Sequence, residues 1–132
     1  MEVIYYLFAV CVIVGVIYAV VFTKRSASLV NYTPEQIAAR RRKDSDFVLL
    51  DVRSDNERQR NRIEGSIHIP VGDIEKRAEE LAKFKANEIV CYCQGGVRSV
   101  TAATALKSLG FNASNMAGGI AAWKSKGLEV KS

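Results

Sequence analysis

The sequence predicts an α/β domain, a three-layer fold with a central parallel sheet flanked by helices, preceded by one N-terminal transmembrane helix. Three observations predict it. From residue 33 onward, short apolar runs alternate with segments of helical periodicity, as strands buried between covering helices do. No internal repeat breaks that alternation, so it reads as one domain of about 100 residues. The first 22 residues, in contrast, carry a single charge, Glu2, and no Lys or Arg.

Composition excludes several classes. A chain of 132 residues with 48% apolar and 25% charged residues fits one globular domain and argues against disorder. Three cysteines are too few for a disulfide scaffold, and two prolines with nine glycines exclude collagen-like or low-complexity material. Cys11, His68, Cys91 and Cys93 lack the paired spacing of zinc ligands, so no metal and no other cofactor is expected. All 19 basic residues and all acidic residues but Glu2, one of 14, lie beyond residue 22, which leaves that part with a net charge of +6.

Taken in order, the elements begin with residues 3–22, an uncharged stretch without Asn, Gln or Pro. At about 1.5 Å per residue it spans roughly 30 Å, the thickness of a bilayer core. Tyr5, Tyr6 and Tyr18 lie near its ends, where aromatic side chains favour the interface. A cleaved signal peptide needs a basic start and a shorter apolar core. Here the start is Met-Glu, and residues 26–28 resemble a cleavage site only weakly. Lys24 and Arg25 close the span, and Arg40, Arg41, Arg42 and Lys43 follow. The positive-inside rule then makes this a single-pass protein of the cell membrane with its C-terminal domain in the cytoplasm. The basic cluster is expected either to meet anionic headgroups or to form a solvated helix face. The expected organisation is an anchor over 1–25, a linker over 26–31 and a domain over 32–130.

Within that domain, Thr33-Pro34-Glu35-Gln36 is a helix start with a capping box, and the helix runs to about Lys43. Residues 47–50 form an apolar strand ending at Asp51, 54–62 a short polar helix, and 66–69 a short strand stopped by Pro70. Residues 73–84 place Ile74, Ala78, Leu81 and Phe84 at helical spacing. Residues 88–93 form a second buried strand, and 99–109 a helix closed by Gly110. A weak strand over 113–116 and a helix over 120–126, ended by Gly127, complete the chain.

Sites in open parallel sheets form at the carboxyl ends of strands. Two strand ends carry chemistry here: Asp51-Val52-Arg53, and Cys93-Gln94-Gly95-Gly96-Val97-Arg98-Ser99. In the second, glycines let the backbone curl into a nest of inward N–H groups, and the following helix adds its positive end. With Arg98 as a cation at the rim, Cys93 is expected to be largely thiolate, a nucleophile in a positive cradle.

These residues resemble a single-domain rhodanese of the thiosulfate sulfurtransferase family, over roughly residues 31–128. The matching pieces are Leu49-Leu50-Asp51-Val52-Arg53 with Glu57, Gly65-Ser66-Ile67-His68-Ile69-Pro70, the loop from Cys93 to Ser99, Leu109-Gly110-Phe111, and Gly118-Gly119-Ile120-Ala121-Ala122-Trp123 followed by Gly127. The resemblance implies the rhodanese-like fold and a sulfurtransferase in which Cys93 carries sulfur as a persulfide. It implies that Gln94, Gly95, Gly96, Val97, Arg98 and Ser99 bind the substrate, Arg98 helping to hold an anionic donor. Asp51 and Arg53 become supports of the site. The implied partners are a small sulfur-donor anion and a thiol or cyanide-type acceptor, beside the lipid bilayer met by residues 3–22.

Arg62 stands where relatives often have His, Ser66 where they usually have Ala, and the neutral Gln94 leaves the choice of donor open. Phosphatases with a similar strand–loop–helix device separate Cys and Arg by five residues. Only Gln94, Gly95, Gly96 and Val97 lie between Cys93 and Arg98, a smaller ring that suits sulfur. Cys91 is expected on the same strand face as Cys93, as a core residue rather than a resolving thiol. Cys11 is expected to face lipid, His68 to be satisfied by a neighbour, and Trp123 to anchor the last helix in the core. Aromatic residues are not interleaved with the basic ones, so no nucleic-acid partner is expected. Three functions follow: a membrane-anchored sulfurtransferase, a sulfur relay between proteins, and an interaction module docking on a membrane protein partner.

Overall fold

The computed structural model of the chain describes residues 1–25, 28–43 and 46–132. Residues 26 and 27 of the expected linker lie outside the described residues. Helix α1 (Glu2–Arg25) is uncharged between Glu2 at its start and Lys24 and Arg25 at its end. Its stretch Glu2–Val20 has a mean hydropathy of 2.6 and is not buried, long and apolar enough to cross a membrane. Cys11 is exposed on it.

Beyond α1 the elements are β1 (Asn31–Tyr32), α2 (Pro34–Lys43), β2 (Phe47–Asp51), α3 (Asp55–Arg60), β3 (Ile67–His68), α4 (Ile74–Arg77), β4 (Glu88–Tyr92), α5 (Arg98–Ser108), β5 (Asn112–Met116) and α6 (Gly119–Ser125). The five strands form one sheet in the order β1-β5-β4-β2-β3, with all pairs parallel. Alternation along the strands feeds two cores. Leu50, Ile89, Cys91 and Ala113 pack with Ala102 and Leu106 of α5 on one face. Phe47, Leu49, Val90 and Met116 pack with Ile37 of α2 and with Ile120 and Trp123 of α6 on the other. Each fully buried Leu or Ile contributes about 2 kcal/mol.

Local chemistry explains the element ends. Gln36 N–H donates to Thr33 Oγ1 at 3.2 Å and Thr33 N–H to Gln36 Oε1 at 2.9 Å, the capping box that starts α2. Helix α5 stops where Phe111 N–H reaches Leu106 O and Gly110 N–H reaches Lys107 O, a Schellman pair.

The structure departs from the sequence-based expectation in two elements. Residues 73–84 are not one α-helix. A 3₁₀ turn (Val71–Asp73), the four-residue α4 and a 3₁₀ segment (Ala78–Phe84) follow one another. Ala78, Leu81 and Phe84 recur every third residue, which aligns them at three residues per turn and not at 3.6. The second departure is β1, which was not expected. Its two residues pair with Asn115 and Met116 at the sheet edge, and so short a polar strand shows no alternation in sequence.

The basic cluster is also more committed than expected. Arg40 pairs with Glu88 at 2.6 Å and lies over the Tyr32 and Phe47 rings. Arg41 donates to the Glu64 carbonyl. Half of that cluster therefore braces α2 against the domain, and Arg42 and Lys43 remain exposed.

Candidate active site

Strand β4 ends at Tyr92, so Cys93 opens the loop that leads into α5. Turns of the neighbouring chain set the loop's shape. Ile120 N–H donates to Cys93 O at 2.8 Å and Ala121 N–H to Gln94 O at 3.1 Å. In a trans peptide the carbonyl and the next N–H point in opposite directions. Drawing these two carbonyls toward α6 therefore turns the amides that follow them to the other side, where the cysteine sulfur lies. Gly96 N–H completes the ring, donating to Cys93 Sγ at 3.0 Å.

Two glycine positions make this geometry possible. Gly96 has φ +100°, and a Cβ there would meet Gly118 N at 3.0 Å. Gly119 has φ +61°, and its Cβ would lie 2.3 Å from Cys93 O and 2.6 Å from Gln94 O. Loop and α6 thus touch backbone to backbone, which only glycine allows.

The sulfur also serves the helix. Val97, at the start of α5, offers no side-chain cap. Cys93 Sγ takes the acceptor's place, with the Ser99 hydroxyl at 3.4 Å. Burial of Cys93 pushes its thiol pKa up, but the Ser99 hydroxyl and the N–H groups of Ser99, Gly96 and Gly95 outweigh it. The net direction is down from the ordinary thiol value, so the thiolate is more accessible than in an ordinary cysteine. Cys91 is the contrast. It shares the same core, two residues away, without such donors, and burial pushes its thiol up to about 12.

Arg98 is not an open cation at the rim. Its guanidinium grips Glu57 in a bidentate pair at 2.6 and 2.8 Å. The Arg98 hydrogen bond is the largest cause that holds the Glu57 carboxyl down at about 2. Glu57 also closes a capping box with Ser54 at the start of α3. The pair ties α3 to the first residue of α5 and fixes one side of the loop.

Asp51 and Arg53 lie beneath the site. Asp51, fully buried, accepts from Arg53 N–H at 2.9 Å, Arg53 Nη2 at 2.8 Å and Tyr92 OH at 3.1 Å. Burial pushes its carboxyl up and the Arg53 contacts bring it lower than an ordinary carboxylate. Arg53 continues to Asn61 O at 2.6 Å and Asn61 Oδ1 at 2.9 Å. Arg58 joins Asp51 to Ser66, donating to Ser66 Oγ at 2.9 Å. Ser66, where relatives usually have Ala, therefore takes part in the support. His68 Nε2 lies 2.7 Å from Arg53 O; a carbonyl only accepts, so that nitrogen carries its hydrogen and the ring is satisfied. Trp123 is buried and donates to Glu129 O at 2.9 Å.

Sequence reasoning missed three contributors: Glu57 as the partner of Arg98, the Tyr92 hydroxyl over Asp51, and Gly118-Gly119 as the loop's backing. The Ser54-x-x-Glu57 spacing was a legible capping box and would have drawn attention to Glu57.

A three-layer parallel α/β domain with a cysteine cradled by backbone amides at a strand end is an arrangement suited to thiolate chemistry. The chain belongs to the rhodanese-like family: the model of the rhodanese-like domain matches residues 33–126. It is 38% identical over 81 residues to YtwF of Bacillus subtilis, provisionally named a sulfurtransferase, covering 61% of this chain and 77% of that one. It is 39% identical over 84 residues to YrkF of the same organism, provisionally named a sulfur carrier protein; the match spans 63% of this chain but only 44% of YrkF. Among solved structures, a rhodanese-like domain protein of Staphylococcus aureus superposes with a TM-score of 0.70 at 29% identity, covering 79% of this chain and all of that one.

Proposed function

We propose that the protein is a membrane-anchored sulfurtransferase that moves sulfane sulfur from thiosulfate, or a similar donor, to a thiol or cyanide-type acceptor through a persulfide on Cys93. The observation that carries this reading is the Gly96 N–H at 3.0 Å from a thiolate-favouring Cys93 sulfur at the floor of an amide ring. The Cys93 thiolate attacks the outer sulfur of thiosulfate. A Cys93–sulfur bond forms, the S–S bond of the donor breaks, and its electron pair leaves with sulfite. The new outer sulfur is anionic, and amides that already face the thiolate are placed to hold it. An acceptor such as cyanide then attacks that outer sulfur, leaves as thiocyanate and returns Cys93 to the thiolate.

The test is cyanide-dependent formation of thiocyanate from thiosulfate by the full chain, with Cys93→Ala alongside. Activity confined to the wild type is expected; equal activity in the variant overturns the assignment. A second reading is favoured by Val97, which projects from the loop with 79% of its surface exposed. An apolar side chain so open beside a nucleophile suits a protein surface that covers it, so the physiological acceptor in this reading is a protein thiol. Feeble thiocyanate formation together with a stable extra sulfur on Cys93 favours that relay.

A further inference from the structure

Arg53, Arg58 and Arg60 lie between the end of β2 and the end of α3, and Arg98 follows the loop after β4. Three of these four cations already have carboxylate partners. Arg53 and Arg58 share Asp51, and Arg98 is neutralised by Glu57. The Arg60 side chain, at the end of α3, makes no hydrogen bond or ion pair among the described residues, and the residue is exposed.

Arg60 lines a cavity of about 430 Å³ together with Arg53, Glu57, Asn61 and Gln94. Gln94 directly follows Cys93, so the cavity adjoins the cradle. Its other charged walls each have a partner within the protein, Arg53 in Asp51 and Glu57 in Arg98. The Asn61 oxygens are both engaged by Arg53, which leaves the NH₂ of Asn61 as the part open to a ligand. What the cavity offers is thus one uncompensated cation and two amide side chains.

We propose that this cavity is an anion site and that Arg60 is its cation. It receives the negative head of the sulfur donor, the sulfonate or carboxylate end that departs, while the transferable sulfur lies over Cys93. The role of the head as a leaving group rests on the sulfurtransferase reading above; the anion site itself does not. Arg60 then selects anionic over neutral reagents at Cys93, and Arg98, locked to Glu57, has a positioning role. The volume exceeds that of thiosulfate, so small organic persulfides bearing a carboxylate fit the same site.

The test uses the full chain at low ionic strength and compares alkylation of Cys93 by iodoacetate, an anion, and by iodoacetamide, its neutral analogue. Arg60→Gln is expected to slow iodoacetate roughly three- to tenfold relative to iodoacetamide, and Arg60→Lys to keep most of the preference. Lys76→Gln, which removes a charge elsewhere, leaves the ratio unchanged. An unchanged ratio in Arg60→Gln overturns the proposal, as does a ratio that responds to Arg98→Gln instead. If Cys93 resists both reagents, sulfite is titrated into Cys93→Ser and the Arg60 Nε–H resonance is followed by NMR; a saturable shift supports the site and its absence overturns it. A protein that shows this charge preference yet never carries extra sulfur on Cys93 overturns the sulfurtransferase reading and keeps the anion site. Sulfur loading without charge preference does the reverse.

Discussion

At the scale of single residues, the charges that surround the Cys93 loop are held in pairs, Asp51 with Arg53 and Arg58, and Glu57 with Arg98. Asp51 has no exposed surface and is held by Arg53, Arg58 and Tyr92. Removing its charge strands Arg53 in the interior, and breaking a buried pair on one side costs roughly 3–5 kcal/mol. Asp51→Asn is therefore expected to lower the unfolding free energy by that much in a denaturant titration, while Glu75→Gln, at an exposed position, does not. Glu57 gives a pH-dependent counterpart. Its folded pKa of about 2 lies below the ordinary 4.5, so the pair with Arg98 supports the fold above about pH 4.5 and loses that support as pH falls toward 2. Because both side chains are partly solvated, the contribution is discounted to about 1 kcal/mol. Glu57→Gln is expected to destabilise by that amount at pH 7 and to converge with the wild type near pH 2, as read by urea unfolding across pH. That pair was out of reach for sequence reasoning because its members stand 41 residues apart and only the fold brings them together.

At the scale of elements, the strands β2 and β4 and the helices α2 and α5 were legible because long apolar runs and caps announce them. The loop after β4 was legible for the same reason, since its glycines and cysteine are contiguous. What lies behind that loop was not. In the sequence Gly118-Gly119 stands only as part of a matching piece before the helix over 120–126, whereas in the fold it lets α6 approach the carbonyls of Cys93 and Gln94. Gly119→Ala puts a methyl group into Cys93 O, forces the loop outward and rotates its amides off the sulfur. The expected result is at least about a tenfold loss of Cys93 alkylation rate at pH 7, with a raised thiol pKa. Gly127→Ala is the control: it has a similar positive φ but open space around its Cβ, so only stability falls, by about 1 kcal/mol. The 3₁₀ run Ala78–Phe84 was misread as α-helix because periods of three and 3.6 differ little over so few residues.

At the scale of the whole molecule, two unlike parts are joined. Helix α1 presents apolar side chains around its whole described circumference, and the domain behind it carries the net positive charge. As an uncleaved anchor, α1 keeps the domain at a membrane; as a signal sequence, it is removed. If α1 is an anchor, intact-mass analysis of the protein purified from whole cells is expected to show a chain that retains Met1 or Glu2, whereas a chain beginning near residue 28 contradicts the anchor. Within the domain, the sheet order puts β4 at the centre, flanked by β5 and β2. Its end therefore receives support from both sides, Asp51 and Arg53 from β2 and Gly118-Gly119 from the turn after β5. A nucleophile at that position gains rigidity that an edge strand does not offer.

The most direct test is the intact mass of the full chain after thiosulfate, with tryptic mapping of the modified residue. One added sulfur on Cys93, absent in Cys93→Ala and discharged by cyanide as thiocyanate, is the expected result. No added sulfur with any sulfane-sulfur donor, or a sulfur that maps to Cys91, contradicts it.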